Sequence, residues 1–211
     1  MILSIPDALN KSMSVNLPSQ GLLKVSGPDA EKLLQGQLTC DVTKTPCLGA
    51  HCNPQGRVIS LFWLFTEGCD FYLKMPKTLL PIALKALQKY AVFFKVSLEI
   101  NDSLEASGSD EEWKLFNIVS NIPTIYPESS EKFLPHDLNL PELGGVSFDK
   151  GCYTGQEIIA RMQYKAKLKN HLTHTRIQSE NTPVIGEDNV VDFVQIDYNT
   201  YEVLMIGANH G

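Results

Sequence analysis

Residues 150–161 read Lys-Gly-Cys-Tyr-Thr-Gly-Gln-Glu-Ile-Ile-Ala-Arg, and the order of these residue types leaves the backbone few options. Thr154 is predicted as a helix N-cap, because a threonine hydroxyl can accept from an otherwise unpaired amide. Glu157 stands three residues on, the spacing of a capping box, and Tyr153 and Ile158 fall at the two ends of a hydrophobic staple. Ile158 and Met162 are four apart and share a face with Ile159 beside them. Glu157 and Arg161 form an i,i+4 pair in the favourable orientation. Cys152 precedes the expected cap by two residues. There the positive end of the helix dipole and the nearby Lys150 both favour a thiolate, while Gly151 and Gly155 keep the approach open. Two readings stand side by side: a well-made structural helix start, or a reactive thiol next to amides able to hold an anion.

The rest of the chain alternates strand and helix signals. Leu22–Ser26 is predicted as a strand. Ser26-Gly-Pro28 opens a helix with Ala30, Leu33, Leu34 and Leu38 on one face and a glycine end at Gly36. Asn53-Pro-Gln-Gly56 is turn chemistry. Arg57–Phe65 and Phe71–Met75 flank a second turn, as in a hairpin. Thr78 is predicted to cap a helix carrying Leu80, Ala83, Leu84, Leu87 and Tyr90. Ala91–Ile100 reads as strand, with the apolar run Ala91–Phe94 expected to be buried. A polar stretch at 101–110 precedes a helix over Glu111–Asn121. Residues 128–150 form a long loop, and loops of that length inside a domain usually serve a function. Val190–Ile206 reads as two strands turning at Asp197–Thr200.

Charge is unevenly placed. The net charge is −6, yet residues 177–211 hold six acids and no Lys or Arg, so residues 1–176 balance at 18 and 18. That overall acidity argues against nucleic-acid binding by net charge. The exception is a local basic run of Arg161, Lys165, Lys167, Lys169 and Arg176, beside Tyr164. On a strand the three lysines would share one face, either as a solvated edge or as a phosphate contact. Hydrophobic residues make up 43% and charged residues 20%, a globular mix. No apolar run reaches the roughly 18 residues of a membrane span. The N-terminus shows no secretory pattern, and the five cysteines include no CxxC, so a reducing, cytoplasmic setting without disulfides is expected. The spacing of Cys40, Cys47 and Cys52 matches no usual metal motif, and no directly bound metal is expected.

The string KGCYTGQEIIAR resembles the signature of the YgfZ-type folate-binding proteins, relatives of the glycine cleavage T-protein, an aminomethyltransferase. Phe133–Phe148, Val25–Val42 and Asn53-Pro-Gln-Gly-Arg-Val58 also resemble that family. The resemblance implies an α+β fold: a ring of two lobes around a central cavity over residues 1–164, with lobe boundaries near 45–55 and 101–110. A short β-rich module over 165–211, an abbreviated barrel, would follow. It implies tetrahydrofolate or a derivative as ligand, and a role in maintaining iron–sulfur enzymes and in tRNA modification. It carries Lys150, Gly151, Tyr153, Gly155, Gln156, Glu157 and Arg161 over as motif residues, with Cys152 as the reactive group. Gln37, Thr39, Tyr164 and Lys165 become candidate folate contacts.

Two departures from the T-protein pattern bear on activity. Phe71–Thr78 lacks the Asn and the following acid of the transferases, which argues for a non-catalytic accessory protein. The position resembling the pterin-anchoring glutamate falls near Val119. The alternatives are a folate-dependent aminomethyl transferase drawing on Asp41, Asp137 or Glu157, and an RNA-binding module using Arg161–Arg176.

Overall fold

The structure is a computed structural model that describes residues 15–103, 105–165 and 170–208. Among the described residues, eight strands and four α-helices follow one another as β1 Gln20–Ser26, α1 Ala30–Gln37, β2 Cys47–Cys52, β3 Val58–Glu67, β4 Asp70–Pro76, α2 Leu80–Ala91, β5 Ser97–Asn101, α3 Asp110–Val119, α4 Gln156–Lys165, β6 Asn170–Gln178, β7 Val190–Asp197 and β8 Thr200–Ala208. The strands form two antiparallel sheets, ordered β2-β3-β4-β1-β5 and β6-β8-β7, so the class is α+β as expected.

Alternation along the central strands sorts side chains to the two faces of the first sheet. Leu23, Leu64 and Leu73 face one another across β1, β3 and β4 and are fully buried. Gly21 points to the same face and meets Leu80 of α2. Helices α1 and α2 pack on this side. On the opposite face Leu22, Trp63 and Lys74 are cross-strand partners. Helix α3 packs instead on β7 and β8 of the second sheet. One apolar core runs through both sheets: Leu172, Val191, Leu204 and Ile206 belong to the same buried cluster as Leu23, Leu64 and Ile118.

Three local expectations are corrected. Thr78 caps nothing: Lys77–Leu79 forms a single 3-10 turn leading into α2, whose first residue pair contains the predicted Pro81. In the run Ala91–Phe94, Ala91 ends α2 and residues 92–94 turn away from it, with Val92 76% and Phe93 80% exposed, and the strand begins only at Ser97. Residue type suggested burial there, but the helix end directs these side chains outward. Gly36 lies inside α1 rather than ending it; the chain leaves the helix through Leu38 in an extended conformation. The C-terminal hairpin follows its prediction, turning through Asn199 at a φ of 53°. Lys167 and Lys169 of the basic run, and the side chain of Lys165, lie outside the described residues. Arg176, which is described, pairs with Glu202.

Candidate functional site

The segment 150–155 lies across the end of α1 and the Asn53–Gly56 turn. Thr154 N donates to Gly36 O at 3.2 Å, and Thr154 Oγ1 donates to Gln37 Oε1 at 3.0 Å. The predicted N-cap is thereby corrected. The hydroxyl is engaged across the interface, and α4 begins two residues later at Gln156. Close approach explains the glycines. Gly155 has a φ of +85°, and a Cβ there would lie 2.7 Å from Asn53 O and 3.1 Å from the Cα of Gly56. Gly56, at φ +77°, in turn seats Ile158. Only glycine tolerates both the left-handed backbone and that proximity.

Lys150 points inward. Its Nζ donates to Leu38 O and Cys40 O, both at 2.8 Å, and lies 5.1 Å from the centre of the Tyr153 ring. Burial pulls this ammonium down to about 8, against the opposing pull of Cys40, Asp41 and Cys47. The cation expected beside Cys152 therefore faces a different pair of thiols. Tyr153 is buried, its hydroxyl has no partner among the described residues, and burial raises its pKa. Gly151, Cys152, Glu157 and Arg161 are exposed, while Gln156 is half-buried. The signature thus presents an outer rim carrying the Cys152 sulfur and an inner side that holds the segment down.

The candidate folate contacts divide differently. Gln37 is buried and engaged by Thr154. Thr39 is wholly buried. Its Oγ1 donates to Gly145 O at 2.6 Å and accepts from Ala50 N at 2.9 Å, so it latches the long loop to β2. Tyr164 is 72% exposed, edge-on to Phe148 at 5.9 Å. Of the three acids considered for transfer chemistry, Glu157 is exposed on the rim and the other two are occupied. Asp41 accepts from Gln35 Nε2 and from Thr43, which hold its carboxyl well below the usual carboxylate range. Asp137 accepts from Leu134 N at 2.9 Å.

A cleft that the sequence reading did not identify lies on the sheet face opposite α1 and α2. Its inner part, about 20 Å³, is bordered by Gln20, Trp63, Lys74, Pro76, Asn117 and Thr124. An outer part of about 260 Å³ shares Gln20, Pro76, Asn117 and Thr124 and extends to Asp110, Lys114 and Tyr126. Gln20 Oε1 and Asn117 Oδ1 are buried with no partner among the described residues. A buried acceptor left unpaired costs about 1–3 kcal/mol, so these atoms mark a place where a ligand donor would be stabilising. Lys74 is 2% exposed, donates to Val15 O, and is pushed down to about 8 by burial. A lysine inside the apolar strand Phe-Tyr-Leu-Lys-Met-Pro was the available signal. Period 2 places it on the face away from Leu73, where a lysine needs a reason to be.

Behind the mouth of this cleft Lys114 Nζ pairs with Asp192 Oδ1 at 3.0 Å, and Tyr126 OH donates to Asp192 Oδ2 at 3.1 Å. The same ammonium sits 5.5 Å from the Tyr126 ring and 5.0 Å from that of Phe193. This network joins α3, the segment 120–127 that follows it, and β7. Among the described residues no three His, Cys, Asp or Glu side chains converge on a metal position, and no helix is long and apolar enough to cross a membrane.

Known proteins resemble this chain at both levels. An uncharacterized protein of Haemophilus influenzae is 33% identical over 218 residues, covering 84% of this chain and 78% of its own. Proteins named tRNA-modifying protein YgfZ are 27% identical in Photobacterium profundum, over 88% of this chain and 76% of theirs, and 29% identical in Hamiltonella defensa, over 87% and 76%. The crystal structure of glycine cleavage system aminomethyltransferase T from Bartonella henselae superposes with a TM-score of 0.64 at 11% identity, covering 95% of this chain and 81% of that one. No family model matches the chain.

Proposed function

The chain belongs to the YgfZ-type family, relatives of the glycine cleavage T-protein, and on that footing we propose that it is a folate-binding accessory protein acting in tRNA modification and in the upkeep of iron–sulfur enzymes. The observation that carries the reading is the cleft. Two amide oxygens without a partner among the described residues, Gln20 Oε1 and Asn117 Oδ1, belong to side chains that border it together with Trp63. Tetrahydrofolate offers ring N–H and amino donors on a planar heterocycle, which is the complement of that wall. Within this reading residues 1–164 form the ligand-binding ring and 165–211 a short β module.

The reading is of an accessory protein rather than an aminomethyl transferase. A transferase needs a carboxylate to receive the substrate amine. The inner cleft offers amide oxygens and the Lys74 ammonium, while Asp110 at the mouth accepts from Ser19 N and Oγ. Cys152, exposed on the rim of the signature, is the reactive group of the proposed function. Arg176, the described far end of the basic run, is engaged by Glu202, which weakens the RNA-binding reading. The protein would work in the cytoplasm.

Calorimetry with tetrahydrofolate, folinic acid and folate tests this. Wild type is expected to bind at least one of the three. Asn117→Ala and Gln20→Ala are expected to weaken it by about tenfold or more, since each removes an acceptor worth about 1.4 kcal/mol. Cys152→Ala is expected to bind as wild type does while failing to restore tRNA modification in cells lacking the protein. The absence of heat with all three pterins would overturn the folate reading.

A further inference from the structure

Cys40 and Cys47 stand on the two arms of a narrow loop. Leu38 bridges His51, and Thr39 N donates to Ala50 O at 2.9 Å, so residues 38–40 run antiparallel to β2. The chain turns through residues 41–46 and returns at Cys47. That return sets Cys47 two residues from Gly49, the position opposite Cys40, so the two cysteines are diagonal neighbours on one face of the ladder, both of them free. Gly49 makes room for the inner sulfur: a Cβ at that position would collide with Cys40 Sγ. Lys150 reaches in from the signature and fastens its ammonium to Cys40 O, so one cation faces both sulfurs. Cys40 is 2% exposed, whereas Cys47 is half-buried.

The arrangement is asymmetric in the way thiol exchange requires. The neighbouring Cys40 lowers the Cys47 thiol against its own burial and the Asp41 charge, while the neighbouring Cys47 and burial raise that of Cys40; Lys150 favours either thiolate. The reachable sulfur is the one inclined to ionise, and the sealed one waits beside it.

We propose that Cys40 and Cys47 form a thiol–disulfide exchange site for small-molecule disulfides, with Cys47 attacking and Cys40 resolving. The Cys47 thiolate attacks one sulfur of RSSR. The bond between the two R-sulfurs breaks, Cys47–S–S–R forms, and the departing RS⁻ takes up the proton that Cys47 released. Cys40 then attacks the Cys47 sulfur, and the second R-sulfur leaves as RSH with the Cys40 proton. Two cysteine thiols are oxidised to one cystine, and RSSR is reduced to two RSH. The site is independent of the folate reading and of Cys152.

Stepped mixtures of glutathione and glutathione disulfide test it on the full chain, with acid quench, alkylation, trypsin and mass spectrometry. Cleavage after Lys44 separates the two cysteines, so the cross-link joins two peptides, and fragment ions distinguish Cys47 from Cys52. The expected result is a Cys40–Cys47 link that grows with the oxidised fraction and reverses with dithiothreitol. Cys40→Ser is expected to stop at glutathione on Cys47, and Cys47→Ser to leave Cys40 unreacted. Cys47 of the reduced wild type is expected to alkylate at pH 7 at least about tenfold faster than the exposed Cys69. A wild type that accumulates glutathione on Cys47 without closing the link, or whose Cys47 reacts no faster than Cys69, overturns the proposal. Both of those measurements are made on wild type and stand whether or not a variant folds.

Discussion

Single side chains set the chemistry of this protein through what surrounds them. Asn117 borders the cleft, and its buried Oδ1 has no partner among the described residues, a cost to the ligand-free fold. Asn117→Leu should therefore be neutral, or stabilising by about 1 kcal/mol, in urea unfolding of the free protein, while ligand binding is lost. Stability and affinity moving in opposite directions identify a ligand-site residue; parallel losses would mark a structural one. His51 is a second case. It is 1% exposed, both ring nitrogens lack partners among the described residues, and burial followed by the Lys89 charge pulls it down to about 4. The unfolded chain takes up this proton near 6.5 and the folded protein only near 4. The stability due to neutral His51 is thus complete above pH 6.5 and lost as pH falls through 4. A shift of that size corresponds to about 3 kcal/mol. His51→Phe should flatten urea midpoints measured across that window.

At the scale of elements, most strands and helices were legible because periodicity is local. The 57–76 hairpin, the α2 face and the Asp197–Thr200 turn all follow from alternation, helical spacing and turn residues. The failures came where a neighbour outcompeted a local preference. Thr154 is a sound N-cap by sequence, yet Gln37, 117 residues earlier, accepts its hydroxyl proton. Phe93 is apolar, yet a helix end leaves it in solvent. Gly155→Ala tests the join between α4 and the Asn53–Gly56 turn. A positive φ and a backbone oxygen 2.7 Å from the new Cβ should together cost about 2 kcal/mol or more in thermal unfolding. The α3–β7 join is tested through Asp192. Burial raises its carboxyl to about 6 despite Lys114. Because the folded value lies above the ordinary 3.8, the stability held by the protonated form is complete below 3.8 and lost as pH rises through 6. Asp192→Asn should remove that decline from a melting-temperature profile taken between pH 4 and 7. Asp192→Ala should be destabilising at every pH, since it leaves Lys114 and Tyr126 without this partner.

Across the whole molecule, both sheets feed one apolar core, with Leu172, Val191, Leu204 and Ile206 packed into the cluster that contains Ile118 and Ile122. A chain ending at 165 should consequently expose that surface, bind a hydrophobic dye and lose a cooperative melt, as circular dichroism would register. The order of residues alone was sufficient for strand and helix periods, for α+β class and, through the Lys150–Arg161 string, for kinship. These depend on neighbours a few positions apart or on the string itself. It could not reveal that Lys150 turns inward to the Leu38 and Cys40 carbonyls, that Cys40 meets Cys47 beneath it, or that Gln20 and Asn117 border one cleft. Those pairings depend on how faces sort after collapse. Alternation tells a side chain which side of its strand to occupy, but only the packed fold decides what waits for it there.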